Sequence, residues 1–215
     1  NLQEFFYPDH KVRRATDYIE QKLVGTSSLD IVFSTKEEGG LKDPEALKLM
    51  RRFQVWAELQ PEVDKSISMA DFVEEMHWGF HAEDNGYRKI PDSADLISQY
   101  LLVYDGEGLF DFVDESYTVS HIALNTNVHG ANRISGLMER IRVYLGNNSG
   151  SGIKWEIAGV GRLFADQEDL LIEGQVKSLL GALGLIFILM LLQWRSLESA
   201  AICMVPNMSP ILLIF

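Results

Sequence analysis

The sequence predicts an α+β fold built from a duplicated strand–helix–strand–helix unit and followed by transmembrane α-helices. Three observations predict it. Residues Ser178 to Trp194 are uncharged and almost wholly apolar, and a second apolar run starts at Ser199 and continues to Phe215. An apolar stretch of roughly 17–25 residues is long enough to cross a bilayer core. Residues 1–173, by contrast, carry most of the charge and are patterned like a water-facing domain, within which one order of elements occurs twice.

The first copy spans residues 1–84. It opens with a helix of mixed face, Lys11 to Leu23, followed by a strand, Ser28 to Ser34, rich in β-branched and aromatic residues. Gly39-Gly40 marks a turn, and Asp43-Pro44-Glu45 then starts a helix, with Asp as N-cap, Pro at the first helical position and Glu in the first turn. Leu47, Met50, Phe53 and Ala57 line one face of that helix, which runs to about Leu59 and is broken by Pro61. A short strand, Val63 to Ile67, leads to Ser68-x-x-Asp71, a cap for a helix from Met69 to about His81.

Residues 85–114 form a connector, with a turn at Asn85-Gly86, Ile90-Pro91, and a helix from Ser93 to Val103 ending near Gly106. The second copy spans 115–173. It has a strand from Tyr117 to Thr126, a helix from Ala131 to Leu145, a Gly146–Gly152 loop, a strand from Ile153 to Gly159 and a helix starting near Leu163. Met69-Ala70-Asp71-Phe72 in one copy matches Leu163-Phe164-Ala165-Asp166 in the other. A strand–helix–strand unit of this length makes a right-handed crossover. Two of them predict duplicated ferredoxin-like (split βαβ) lobes with helices on one face of a sheet. Residues 174–215 are expected to form a transmembrane hairpin, cut off within its second span.

Charge limits the function. The 215 residues carry a net charge of −12, and residues 1–173 alone carry −13. That acidity argues against nucleic acid, whose phosphates need Lys and Arg, and against a domain lying flat on anionic headgroups. Cys203 is the single cysteine, so no intrachain disulfide forms and the compartment is not read from cysteine usage. Arg195, in the short break between apolar runs, predicts a cytoplasmic loop by the positive-inside tendency, and residues 1–173 are therefore expected to be extracytoplasmic.

No array of catalytic or cofactor-binding residues emerges, and the chain is expected not to be an enzyme. His77 and His81 lie at zinc-ligand spacing with Glu74 and Asp84 nearby, but no third ligand accompanies them and Gly79 intervenes, so they are read as the polar surface of an amphipathic helix. Gly159-Val160-Gly161 lacks the glycines of a phosphate loop and is read as a tight turn. Asn147-Asn148-Ser149 fits a glycosylation sequon, a pattern that chance produces often. His10, His121 and His129 are scattered. Phe72, Met76, Trp78 and Phe80 cluster on or beside one helix and are the candidate substrate-binding residues, since Met and aromatic patches suit adaptable hydrophobic binding. The competing reading is core. Pro206 and Pro210 predict a kink or broken helix within the second span.

Several segments carry a resemblance. Gln193-Trp194-Arg195-Ser196-Leu197 resembles the aromatic-Arg-Ser turn of RND superfamily exporters, of the MMPL type that moves lipids and hydrophobes. Val205-Pro206-Asn207-Met208-Ser209-Pro210 resembles their Pro-Asn-x-x-Pro segment, more closely the form of a second half. Gly174-Gln175-Val176-Lys177-Ser178 is similar to the family's approach to the membrane, and Ile90-Pro91-Asp92 with Ser98-Gln99-Tyr100-Leu101 to its connector. The resemblance implies a porter domain, about twelve spans in a full protomer, proton-driven export of a hydrophobic or lipid-like substrate, and a bacterial inner membrane with residues 1–173 in the periplasm. It implies that proton-carrying acids lie in a later span, and it leaves room for a homo-oligomer. The short connector departs from the large tripartite pumps, which puts docking to an outer-membrane channel in doubt. The alternative expectation is a membrane-tethered extracytoplasmic binding or sensor module without transport.

Overall fold

The computed structural model of the protein describes residues 6–7, 9–104, 108–128, 131–150 and 152–214. In chain order the elements are α1 (Lys11–Lys22), β1 (Ser27–Ser34), α2 (Pro44–Glu58), β2 (Val63–Ile67), α3 (Met69–Phe80), α4 (Ala94–Val103), β3 (Val119–Thr126), α5 (Ala131–Asn148), β4 (Lys154–Ala158), α6 (Val160–Trp194) and α7 (Leu197–Ile214), with short 3-10 turns at Gly40–Lys42 and Asn85–Tyr87. The chain divides into two compact units, Asn1–Ala165 and Asp166–Phe215.

In the first unit the four strands form one antiparallel sheet in the order β2-β3-β1-β4. Because β1 is antiparallel to β3, and β3 to β2, β1 and β2 run parallel with β3 between them. By the same logic β3 and β4 run parallel with β1 between them. The expectation of two lobes is thereby corrected: the copies interleave into a single split βαβ sheet. The physical reason is that one copy supplies only two strands, and a two-stranded sheet is marginal in water. Sharing strands gives four, with two fully paired in the middle.

Strand alternation sets the core. Leu29, Ile31 and Phe33 of β1, Ile122 and Leu124 of β3, and Ile157 of β4 are buried on one face. They join Met50 and Phe53 of α2, Val73 of α3, and Leu137 and Ile141 of α5 in one hydrophobic cluster. The connector contributes Ile97 and Leu101 of α4, with Leu109 and Val113, to the same cluster.

The caps form where local chemistry dictates. The Asp43 carboxylate accepts from the Glu45 N–H at 3.0 Å, with Pro44 at the first helical position. Ser68 and Asp71 form a capping box for α3. Asp71 also accepts from Gln54 Nε2 at 2.6 Å, and Ser68 Oγ donates to Gln54 Oε1 at 3.1 Å, which satisfies a glutamine with no solvent exposure. The predicted Gly146–Gly152 loop starts later than expected. α5 continues through Asn148, and its end is closed by Ser149, whose N–H and Oγ both donate to the Leu145 carbonyl at 2.8 and 2.5 Å.

Two tight sites pin the sheet. The β2–β3 register shifts between Val63 and Lys65, so Asp64 is an extra residue. Its carboxylate accepts from the Gly25 N–H at 2.7 Å and from Asn127 Nδ2 at 2.6 Å. Gly25 is needed there: a Cβ would lie 2.1 Å from the Thr126 carbonyl oxygen. Before β3, Asp114 accepts from the Thr118 and Val119 N–H groups at 2.7 and 2.8 Å, from Thr118 Oγ1 at 2.8 Å, and from Ser116 Oγ. Burial pushes this carboxyl up, but those hydrogen bonds outweigh it and hold it at about 2.

In the second unit, the stretch Glu173–Trp194 of α6 is long and apolar enough to cross a membrane, and none of it is buried. The apolar stretch Leu197–Pro206 of α7 is shorter. α7 is helical through Pro206 and Pro210 without interruption; the side chains of Asn207 and Pro210 lie outside the described residues. The turn between α6 and α7 is only Arg195-Ser196. Arg195 is left-handed at φ 48° and donates its N–H to the Leu191 carbonyl at 2.8 Å, closing α6. Ser196 opens α7, its carbonyl accepting from the Ala200 N–H at 3.1 Å.

Two outcomes follow for the first unit. Gly25→Ala forces backbone to move at a buried edge and is expected to destabilise by about 1–3 kcal/mol, read as a lower urea midpoint. Asp114 is depressed below its ordinary value of 3.8, so its stabilisation is complete above that value and is lost as pH falls from 3.8 towards about 2. Asp114→Ala is expected to lower the midpoint at pH 6 and to flatten its decline below pH 4, measured by urea titration at each pH.

Candidate functional site

α2 buries one stripe and exposes another. Lys48, Arg52, Val55 and Leu59 recur at i, i+4, i+7 and i+11 on its outer side. Val55 is 53% exposed and Leu59 78%. Beside them Trp56 stacks on Tyr144 of α5, with ring centroids 4.4 Å apart and planes 20° apart, and the Tyr144 hydroxyl donates to the Arg52 carbonyl at 3.3 Å. The opposite wall is the connector, with Arg88, Lys89, Ile90 and Asp92, and Glu74 of α3 reaches in. Together with Arg51 these residues line an open, shallow groove of about 690 Å³, within the roughly 300–1,000 Å³ usual for small-molecule sites.

The groove is apolar at its floor and cationic at its rim. Lys48 pairs with Asp92 at 2.6 Å and Glu45 at 3.1 Å, tying the connector to α2. The hydrogen bond to Asp92 raises the Lys48 ammonium, and the same bond lowers the Asp92 carboxyl. Arg51 pairs with Glu74 at 2.8 Å and Asp71 at 3.1 Å. Burial pushes the Glu74 carboxyl up, against the pull of Arg51. Arg88 pairs with Glu75 and lies over the Trp78 ring at 5.1 Å. Arg52 and Lys89 have no ion pair among the described residues.

The residues predicted to bind substrate are elsewhere. Phe72 and Met76 pack against the core, Phe72 meeting Tyr104 and Phe112 at 5.6 and 5.8 Å. Phe80 is 59% exposed and stacks on Tyr100 at 5.2 Å. Trp78 is half-buried, and its Nε1 has no hydrogen-bond partner among the described residues. None of the four lines the groove. Of the motif Trp194-Arg195-Ser196, Trp194 ends α6 and is 56% exposed, and Arg195-Ser196 form the α6–α7 turn described above. Pattern reading missed Arg52, Trp56, Tyr144 and Lys89. The available signal was the outer stripe of α2, where Val55 and Leu59 follow Lys48 and Arg52 on one face.

The His77–His81 pair is not a polar surface. His77 is 6% exposed because α4 packs over that face of α3. Its Nδ1 is 3.0 Å from the Tyr100 hydroxyl. His81 Nδ1 lies 2.7 Å from the His77 carbonyl, and its ring stacks on Tyr87 at 3.9 Å. Burial lowers the His77 imidazole below its ordinary value, with the charges of His81 and Lys89 adding to the effect. Among the described residues no group of three His, Cys, Asp or Glu could hold a metal ion. His10 caps α1 by accepting from the Val12 N–H at 3.3 Å, and His121 packs on Phe112 at 5.4 Å; His129 lies outside the described residues. Gly159 turns β4 directly into α6 at φ 91°, where a Cβ would come 2.8 Å from Asp30.

No protein-family model matches the chain, and no curated protein matches it.

Because folded His77 sits below 6.5, the unfolded chain takes up its proton first as pH falls. Stability is expected to decline below pH 6.5 and to level off once His77 itself charges in the folded state. His77→Gln keeps a polar partner for Tyr100 but does not titrate, so it is expected to show a smaller drop in melting temperature between pH 7 and pH 5.

Proposed function

We propose that this chain is the extracytoplasmic porter lobe and first spans of a proton-driven RND-type exporter of hydrophobic or lipid-like substrates. Its site is a bacterial inner membrane, with residues 1–173 in the periplasm. The observation that carries this reading is α6, which starts two residues after β4 of an α+β unit and ends as an apolar stretch long enough to span a bilayer. α7 follows after only Arg195-Ser196, and its shorter stretch Leu197–Pro206 is apolar, in keeping with the start of a second span. The resemblance of the Trp194-Arg195-Ser196 turn and of Pro206-Asn207-x-x-Pro210 to the exporters supports the same reading. The partners implied are the lipid-like substrate, the membrane and the remainder of the same transporter. Glu198 is the only acidic residue from Gly174 onward, so the proton-carrying group of this reading lies in another span.

A second reading is a membrane-tethered binding module without transport. The groove favours it, because all its lining residues lie within the first unit and binding there needs no transport path.

The test is reconstitution of the full-length protein in liposomes with a fluorescent lipid probe and an imposed proton gradient. The exporter reading expects movement that an uncoupler stops. Movement insensitive to the uncoupler contradicts it, and binding with no movement contradicts it and leaves the binding module.

A further inference from the structure

We propose that the groove between α2, α5 and the connector holds a single amphiphile with an anionic head and a hydrocarbon chain. The chain lies along Val55, Trp56, Leu59 and Tyr144, and the head pairs with Arg52 and Lys89. Its biological use rests on the reading of this protein as one that handles lipid-like molecules. The binding does not, so a measurement without any proton gradient separates the two.

Three features lead to this ligand. First, the floor is apolar and exposed where the core has no need of it, since Phe53 and Met50 already fill the buried stripe of α2. Hydrocarbon covering Val55 and Leu59 removes apolar surface from water, and the stacked Trp56–Tyr144 wall presents a large surface at little entropic cost. Second, the charge of the rim opposes that of the domain. Residues 1–173 carry −13, yet the groove gathers Lys48, Arg51, Arg52, Arg88 and Lys89 against Glu74 and Asp92. Three of those cations are matched by carboxylates, whereas Arg52 and Lys89 remain for a ligand anion. A guanidinium and an ammonium beside an apolar trough select a carboxylate or phosphate at one end of an otherwise apolar molecule. Third, the source is a single molecule rather than a bilayer surface. The groove, though open, is of small-molecule volume, and a domain of −13 is repelled by an anionic leaflet.

The test uses the full chain in phosphatidylcholine nanodiscs with a photoactivatable palmitate, adducts being mapped by peptide mass spectrometry. The expected result is labelling of the α2 and α5 peptides that carry Val55 to Leu59 and Tyr144. Loss of the two head-group charges should cut that labelling about tenfold or more, as expected for charge-assisted bonds; Arg52→Glu with Lys89→Glu tests this on exposed residues. Leu59→Glu, also exposed, should reduce it as well, and the matching fatty alcohol should label poorly. Labelling of α6 by probe dissolved in the bilayer serves as the internal control and should not change. Groove labelling that is indifferent to the charge reversal, equal labelling by the alcohol, or displacement by an acidic amphipathic peptide but not by unlabelled palmitate overturns the proposal. Groove labelling with no uncoupler-sensitive movement leaves the inference standing and removes the exporter reading; movement without groove labelling does the reverse.

Discussion

The pairing of β1 with β3 is the constraint on which the rest of the first unit depends. It runs over eight residues, from Ser27 opposite Thr126 to Ser34 opposite Val119. It joins strands from the two different copies, so neither copy owns a complete sheet. Each then places its second strand on the far side of the other's first strand, which yields the order β2-β3-β1-β4. The cost is the loop entropy of closing a long chain segment before any β1–β3 bond forms. The gain is a four-stranded sheet with one continuous core instead of two marginal pairs.

The groove is a consequence of that interleaving. α2 belongs to one copy and α5 to the other, and they become neighbours because their strands share a sheet. Trp56 then meets Tyr144, Tyr144 reaches the Arg52 carbonyl, and Arg140 of α5 pairs with Glu62 next to β2 at 2.6 Å. The connector closes the third side through the Lys48–Asp92 ion pair. The site therefore draws on residues from all three segments of the first unit, and the exposed stripe of α2 acquires a wall only when the copies combine.

Local chemistry was legible in the sequence, and long-range pairing was not. Asp43-Pro44 and Ser68-x-x-Asp71 announce their helices because a cap is decided within four residues. The alternation of Leu29, Ile31 and Phe33 marks β1 for the same reason. Two lobes and one interleaved lobe, however, have identical local patterns, since strand order depends on partners far apart in sequence. His77 illustrates the same limit: its own helix gives no sign that Tyr100, from α4, covers it and supplies its polar partner. Of the groove, only the helical spacing of Lys48, Arg52, Val55 and Leu59 is local to α2, whereas Tyr144 and Lys89 join it only through the fold.

The most direct measurement of the interleaved sheet is cross-strand disulfide formation in a Cys203→Ser background. Val32 lies opposite His121 across β1 and β3. β1 and β2 are instead two strand spacings apart, roughly 9–10 Å, beyond the limit of about 7 Å between Cα atoms for a disulfide. Val32→Cys with His121→Cys is predicted to oxidise to an intramolecular bond with the fold retained, and Val32→Cys with Lys65→Cys is predicted to stay reduced. Bonding in the second pair but not the first would mean that each copy builds its own sheet, and the groove as described would not exist.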